Sequence, residues 1–266
     1  GYEHPSVYEP AAVLKKFGWE IRRAGAGKHG IVSVEDITGK IDKNTRMVAL
    51  IMVNNETGAT QPIHEIGEKL AQIDKTIHFH VDAVQAAGKL PLSLSDLNIH
   101  SASISSHKFQ GPRGCGILYL KKSLEMLYSG GGQEGGIRHG TENMFGITGT
   151  AAAAEKALIN MNNNLSRGIQ NKKRLIERIA DIRGICFIPD CSPGELLNTE
   201  LYSPYILSVS IKPVPGEVLV RVMSDRGFDI STGSACAAGK KNKSKTLETM
   251  GVSNEDAFST IRVSTG

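Results

Sequence analysis

Met47 to Val53 is a nearly unbroken run of apolar side chains, the pattern of a strand buried on both faces. His78 to Val81, Ala102 to Ser105 and Gly116 to Leu120 carry further strand signals, and Trp19 to Arg23 also reads as a strand. Helical spacing lies between them: Val7 to Phe17, closed by Gly18; Val34 to Ile41; and a stretch that Pro62 opens at the first helical position and that runs to Ile73. Strands alternating with helices predict an α/β fold, with mostly parallel pairing and right-handed crossovers. In such sheets a ligand sits beyond the carboxyl ends of the strands.

The stretch from Gly130 to Gly140 is too rich in glycine for regular structure. From Asn143 a long helical region begins, with alanines at 151–154, a break at Asn162-Asn163-Asn164 and a resumption from Arg167 to Ile182. Within it Lys172-Lys173-Arg174 reads as the solvated face of an amphipathic helix. Shorter elements follow: strands at Ile185 to Ile188, Ile206 to Ile211, Phe228 to Ser231 and Ile261 to Ser264, and a helix from Gly216 to Asp225. The change in element length places a domain boundary near residue 160. A larger unit spans 1–160 and a smaller α+β unit 161–266.

Composition narrows the function classes. The 266 residues are 40% hydrophobic and 22% charged, as in ordinary globular proteins, and the net charge of +4 is too small to point to nucleic acid as a partner. No apolar run approaches the ~18 residues of a membrane span. The four cysteines, at 115, 186, 191 and 236, show no C-x-x-C spacing, so a reduced, cytoplasmic setting is the simplest reading. The chain begins at Gly1 rather than at a methionine, and both ends read as cut from something longer.

Several constellations could carry chemistry. Ser105-Ser106-His107-Lys108 follows a strand, which puts a lysine where a ligand would sit; such a lysine forms a Schiff base only as a neutral amine in a desolvated or cationic site. A surface lysine in a loop is the plain alternative. Asp82 ends the strand of His80-Val81-Asp82, with Gln85 one helical turn on; a carboxylate there can pair with a protonated pyridine nitrogen, or simply cap a turn. Asn54-Asn55-Glu56-Thr57-Gly58 closes another strand as a polar turn. The glycine-rich stretch, with Arg138 and Thr141, offers backbone N–H groups to an anion. Cys236 lies in a loop of small residues, Ser231 to Gly239, before Lys240, Lys241, Lys243 and Lys245, whose charges would favour its thiolate. An inert buried thiol suits Cys186, and Cys115, better. His78 and His80 alternate on one strand, with no carboxylate or cysteine to complete a metal site.

Taken in order, these segments resemble the cysteine desulfurases, members of the class V aminotransferase family of NifS and IscS type within the fold type I pyridoxal-phosphate enzymes. The resemblance rests on E-H-P-S-V at 3–7, V-N-N-E-T-G at 53–58, H-V-D-A-V-Q at 80–85, S-S-H-K at 105–108, the glycine-rich 131–141, G-S-A-C at 233–236 and S-T-I-R-V-S at 259–264. It implies pyridoxal 5′-phosphate as cofactor, with Lys108 as its Schiff-base lysine and Asp82 on the pyridine nitrogen. Gln85 would contact the ring oxygen, and His4 would stack on the ring and move protons. Ser105 and His107 would bind the phosphate, and Thr141 the phosphate of the second subunit of a homodimer. Asn55 and Arg262 would position the carboxylate of L-cysteine. Cys236 would take the sulfur as a persulfide, releasing L-alanine, and would also be a candidate transient ligand for an iron–sulfur cluster. The implied partners are a sulfur-acceptor protein, either an iron–sulfur scaffold or a tRNA thiolase, with no direct nucleic acid and no membrane. The family's phosphate-binding segment ahead of E-H-x-x-V has no counterpart after Gly1, so an inactive truncated piece is one alternative. A pyridoxal-phosphate aminotransferase or lyase is another.

Overall fold

The computed structural model describes residues 2–233 and 244–265. Its first element is helix α1, Pro5–Lys16, where proline opens the helix, the His4 side chain accepts from Ser6 N–H at the cap, and Lys15 and Lys16 complement the carbonyl end. The short α2, Val34–Thr38, follows. Strand β1 is Met47–Ile51. Helix α3, Ile63–Ile73, buries Ile63, Ile66, Gly67 and Leu70, the stripe that 3.6-residue periodicity requires. Pro62 is the cap of that helix rather than its first turn. Then come β2, His78–Asp82, β3, Ser101–Ser105, and β4, Gly116–Leu120.

The first sheet has the order β1-β2-β3-β4. β1 and β3 both run parallel to β2, with Ile51 opposite Asp82 and Asp82 opposite Ser103. β4 is antiparallel to β3, because the ten residues between them hold only a single-turn helix and no crossover. Burial of β1 on both faces is not seen: it is the edge strand, Met47 is 53% exposed, and burial begins at Leu50. Nor is Trp19 to Arg23 a strand. Its Arg22 is instead tied to Glu20, Asp42 and the Lys40 carbonyl, and Trp19 N–H donates back to the Leu14 carbonyl of α1.

Helices α4, Met144–Ile159, and α5, Met161–Ile179, meet at Asn160, so the helical break comes before the asparagine run. The Asn160 side chain donates to the Lys156 carbonyl, closing α4, and the asparagines at 162–164 continue as helix. Beyond lie β5, Ile185–Ile188, α6, Pro193–Leu196, β6, Ile206–Ile211, α7, Gly216–Ser224, α8, Lys245–Thr249, α9, Asn254–Phe258, and β7, Thr260–Ser264. β5-β6-β7 form a second sheet that is antiparallel throughout, with β6 buried nearly end to end. The strand expected at Phe228 to Ser231 reduces to one bridge, Ser231 with Arg262.

Two apolar cores result. The first packs Ile51, Val53, Phe79 and Val81 under α3, and takes in Leu247 and Met250 from far along the chain. The second packs Ile176 of α5 against Leu207, Val209 and Ile261, and takes in Ala59. Lys172 shares the inward stripe of α5 with Gly168 and Ile176 and is buried, its Nζ donating to the Ser203 carbonyl at 3.0 Å. It therefore does not belong to the solvated face expected of it. We propose that the boundary between the two units lies at Asn160, where the helical axis is interrupted.

Candidate active site

Asp82 is the last residue of β2 and is buried. Burial pushes its carboxyl above the usual range, against the pull of the Val84 N–H at 3.0 Å and of nearby His4 and His80. β3 runs parallel beside it, so the continuation of β3 emerges at the same edge of the sheet. There Ser105 ends the strand and a tight turn, Ser106–Phe109, carries His107 and Lys108. Ser106 anchors that turn: its hydroxyl receives Thr150 Oγ1 at 2.9 Å and its carbonyl receives Gly111 N–H at 3.0 Å. Ser105 Oγ and His107 Nδ1 are 2.9 Å apart. The half-buried Lys108 thus sits on a fixed turn, not on a loose surface loop.

Gln85 follows Asp82 by one turn and is 9% exposed. Its Oε1 receives Lys89 Nζ at 3.4 Å, so the amide nitrogen is the group it can offer a ligand. His4 approaches from the start of α1, with Nδ1 engaged by Ser6 N–H at 3.2 Å and the Ser6 hydroxyl at 2.8 Å. Glu3 fixes that approach, since its Oε1 accepts from the N–H of Ile51, the residue opposite Asp82, at 2.9 Å. Its other oxygen is buried without a hydrogen-bond partner among the described residues. Burial, with Asp82 nearby, pushes the Glu3 carboxyl up to about 7.

The turn after β1 brings in the second sheet. Asn54 Oδ1 accepts from the N–H groups of Glu56 and Thr57 at 2.9 and 3.0 Å, which shapes the turn. Gly58 has φ +76°, and a Cβ there would lie 3.1 Å from Ile206, so glycine allows the turn to touch β6. Arg262 of β7 then reaches across, its Nη1 donating to the Asn55 carbonyl at 2.9 Å and to the Gly233 carbonyl at 3.0 Å. Asn55 itself is half-buried beside it.

The structure thus gathers His4, Asp82, Gln85, Ser105, His107 and Lys108 at the carboxyl edge of the first sheet, with Asn55 and Arg262 joined to each other beside the second. Thr141 and Arg138 are exposed on the irregular stretch. Cys236 lies outside the described residues. Cys186 is exposed, contrary to expectation: β5 alternates, and position 186 faces away from the second core while Phe187 packs against it. His78 and His80 each hold Ser101 Oγ at 2.7 Å, and among the described residues no cluster suited to a metal occurs.

Sequence reasoning missed three groups. Glu3 and Glu56 stood inside quoted motifs without a role. Lys89 bore no signal beyond its place four residues after Gln85.

The whole chain, residues 1–266, matches the family described as aminotransferase class-V. It is 39% identical to the "NifS/IcsS protein homolog" of Lactobacillus delbrueckii subsp. bulgaricus, over 98% of this chain and 67% of that protein. It is 38% identical to the "Cysteine desulfurase IscS" of Clostridium botulinum, over 99% of this chain and 65% of that one. Among solved structures, a "NIFS-LIKE PROTEIN" superimposes with a TM-score of 0.84 at 31% identity, over 99% of this chain and 67% of the other. The protein titled "SspA in complex with cysteine" does so with a TM-score of 0.78 at 30% identity, over 99% of this chain and 71% of the other. This chain therefore spans about two thirds of the length of these relatives. On the match to all of its residues, the chain belongs to the aminotransferase class-V family.

Proposed function

We propose that this protein acts as a cysteine desulfurase, moving the sulfur of L-cysteine onto Cys236 and releasing L-alanine. One observation carries the reading: a buried carboxylate, Asp82, and a lysine on a rigid turn, Lys108, close the carboxyl ends of adjacent parallel strands. The naming of relatives at 34–38% identity as cysteine desulfurases supports it.

The family's cofactor is pyridoxal 5′-phosphate, and the residues present fit it. Asp82 is buried, and burial disfavours its charged form, which a protonated ring nitrogen would favour. Lys108 would hold the aldehyde carbon, Gln85 the ring oxygen, and Ser105 with His107 the phosphate, aided by Thr141 of a second subunit in a homodimer. When bound, the cofactor supplies an electron sink for the bonds of the substrate's α-carbon.

The chain's own groups do the rest. Arg262, already aligned by the Asn55 carbonyl, pairs with the substrate carboxylate, and the Asn55 side chain completes that contact. Lys108 takes the α-proton, and His4 lies on the Asp82 side as a second proton carrier. The Cys236 sulfur attacks the substrate sulfur: an S–S bond forms, the substrate C–S bond breaks, and a proton returns to carbon. L-cysteine and a thiol become L-alanine and a persulfide, with atoms and electrons balanced. The persulfide passes to a sulfur-acceptor protein, for which an iron–sulfur scaffold and a tRNA-thiolating enzyme are the two chemical destinations.

The test is alanine release from L-cysteine by the cofactor-loaded protein, with mass spectrometry of the Cys236 peptide. The reading expects an added sulfur atom on Cys236, and Cys236→Ser that keeps the cofactor absorption but loses turnover. Full turnover by Cys236→Ser, or cofactor absorption that survives Lys108→Ala, overturns it.

A further inference from the structure

The first sheet leaves β1 open along one side. The Arg46 carbonyl accepts from His78 N–H and Met52 N–H donates to the Asp82 carbonyl, so the backbone groups of even-numbered residues face β2. Those of the odd-numbered residues, Met47, Ala49 and Ile51, face the other way. Ile51 N–H is taken by Glu3 Oε1 at 2.9 Å. The N–H and C=O groups of Met47 and Ala49 meet no partner among the described residues. Across from them lies the stretch from Glu20 to Ala24, whose backbone groups also make no hydrogen bond among the described residues. A groove of about 810 Å³ is lined by both stretches. Leu14, Trp19 and Met47 line it and are exposed. Glu3 lines it too, and its second carboxylate oxygen is the buried one without a hydrogen-bond partner among the described residues.

We propose that this groove is the seat of one further β-strand, which pairs with the open side of β1 and covers the 20–24 stretch. The strand comes from polypeptide outside these 266 residues, within the third of the relatives' length that this chain does not span. Three independent observations meet in it. A strand edge with two sets of outward N–H and C=O groups is a template for backbone pairing. The buried oxygen of Glu3 needs a polar group, and a strand offers it either an N–H or a carbonyl as its protonation demands. Trp19 to Arg23 has the residue types of a strand and lacks only a neighbour to pair with. A helix laid in the groove would satisfy none of these groups, because its own backbone bonds are closed within it. The side chains that meet Leu14, Trp19 and Met47 are apolar, since polar ones would be desolvated there without partners.

The experiment adds to the full chain, as a separate polypeptide, the third of the Lactobacillus delbrueckii relative that this chain does not match. Hydrogen exchange read by mass spectrometry should slow at residues 47–49 and 20–24 and stay unchanged in β6, which is already buried. Ala49→Pro removes one outward N–H and leaves the hydrogen bonds between β1 and β2 in place. It should weaken binding about tenfold in titration calorimetry, the effect of one lost backbone hydrogen bond. Met47→Pro removes the other outward N–H at the start of the strand, and serves if Ala49→Pro does not fold. Absence of binding, or binding that leaves residues 47–49 exchanging as in the chain alone, overturns the proposal. So does sedimentation showing that the chain pairs with a second copy of itself and gains the same protection without the added polypeptide.

Discussion

Glu56 accepts the hydroxyl of Ser244 at 2.6 Å across 188 residues of sequence, and its other carboxylate oxygen accepts Thr246 Oγ1 at 2.8 Å. A Cβ at Gly233 would lie 3.2 Å from the same oxygen that Ser244 holds. The residues on either side of 234–243, the stretch containing Cys236, therefore meet at one carboxylate of the turn after β1. Its backbone is tied as well, since Ser208 Oγ donates to the Glu56 carbonyl at 2.7 Å.

Glu56→Ala should lower stability by about 3 kcal/mol, because the buried Thr246 and half-buried Ser244 hydroxyls both lose their carboxylate acceptor. Glu56→Gln, which keeps an acceptor oxygen, should cost roughly 1 kcal/mol. Urea denaturation of the three proteins checks the order. Equal midpoints for wild type and Glu56→Ala would show that the carboxylate does not join these segments.

Glu3 gives a pH dependence with a definite sign. Its carboxyl is raised from 4.5 to about 7 in the folded protein, so the folded chain binds the proton more tightly than the unfolded one. Stability contributed by this group is full below pH 4.5 and falls as pH rises through 7. Glu3→Gln keeps an acceptor for the Ile51 N–H and should flatten that fall, gaining about 3 kcal/mol at pH 8. Thermal unfolding of both proteins from pH 4 to 8 measures the difference, and parallel curves would refute the assignment.

Lys172 has the opposite behaviour. Burial lowers it from 10.5 to about 8, so the folded chain releases the proton before the unfolded one does. The penalty is greatest below pH 8 and is relieved as pH rises towards 10.5. Lys172→Met should remove it, stabilising the protein at pH 7 by roughly 3 kcal/mol less the lost bond to the Ser203 carbonyl. The wild-type minus variant stability, followed from pH 7 to 10, should shrink towards zero; a constant difference would contradict the prediction.

Arg262→Lys should separate binding from folding. Lysine cannot hold two carbonyls and a substrate carboxylate with one planar fork, so KM for L-cysteine should rise about tenfold or more while the second sheet still forms. Steady-state kinetics beside circular dichroism decide it. An unchanged KM would move the substrate carboxylate elsewhere.

The runs of β1 and β6 were legible because a strand crossing a core needs several consecutive side chains without charge. Helix α3 was legible because its buried positions recur at helical spacing. Trp19 to Arg23 and Phe228 to Ser231 show the same local preference, yet pairing depends on a neighbouring backbone that no local pattern specifies. The direction of β4 had the same origin, and Lys172 went astray because charge alone says nothing about which stripe of α5 faces inward.

By itself the sequence determined which residues could do chemistry, the acid at a strand end, the lysine three residues past the next, the arginine near the far terminus, because residue type and strand termini are local properties. Only the tertiary structure decided which of them meet. Parallel register placed Asp82 and Ser105 at one edge, and the touch of Gly58 on Ile206 brought Arg262 to Asn55. Those juxtapositions come from long-range burial and backbone hydrogen bonding, which couple residues up to 207 positions apart and leave no periodic trace along the chain.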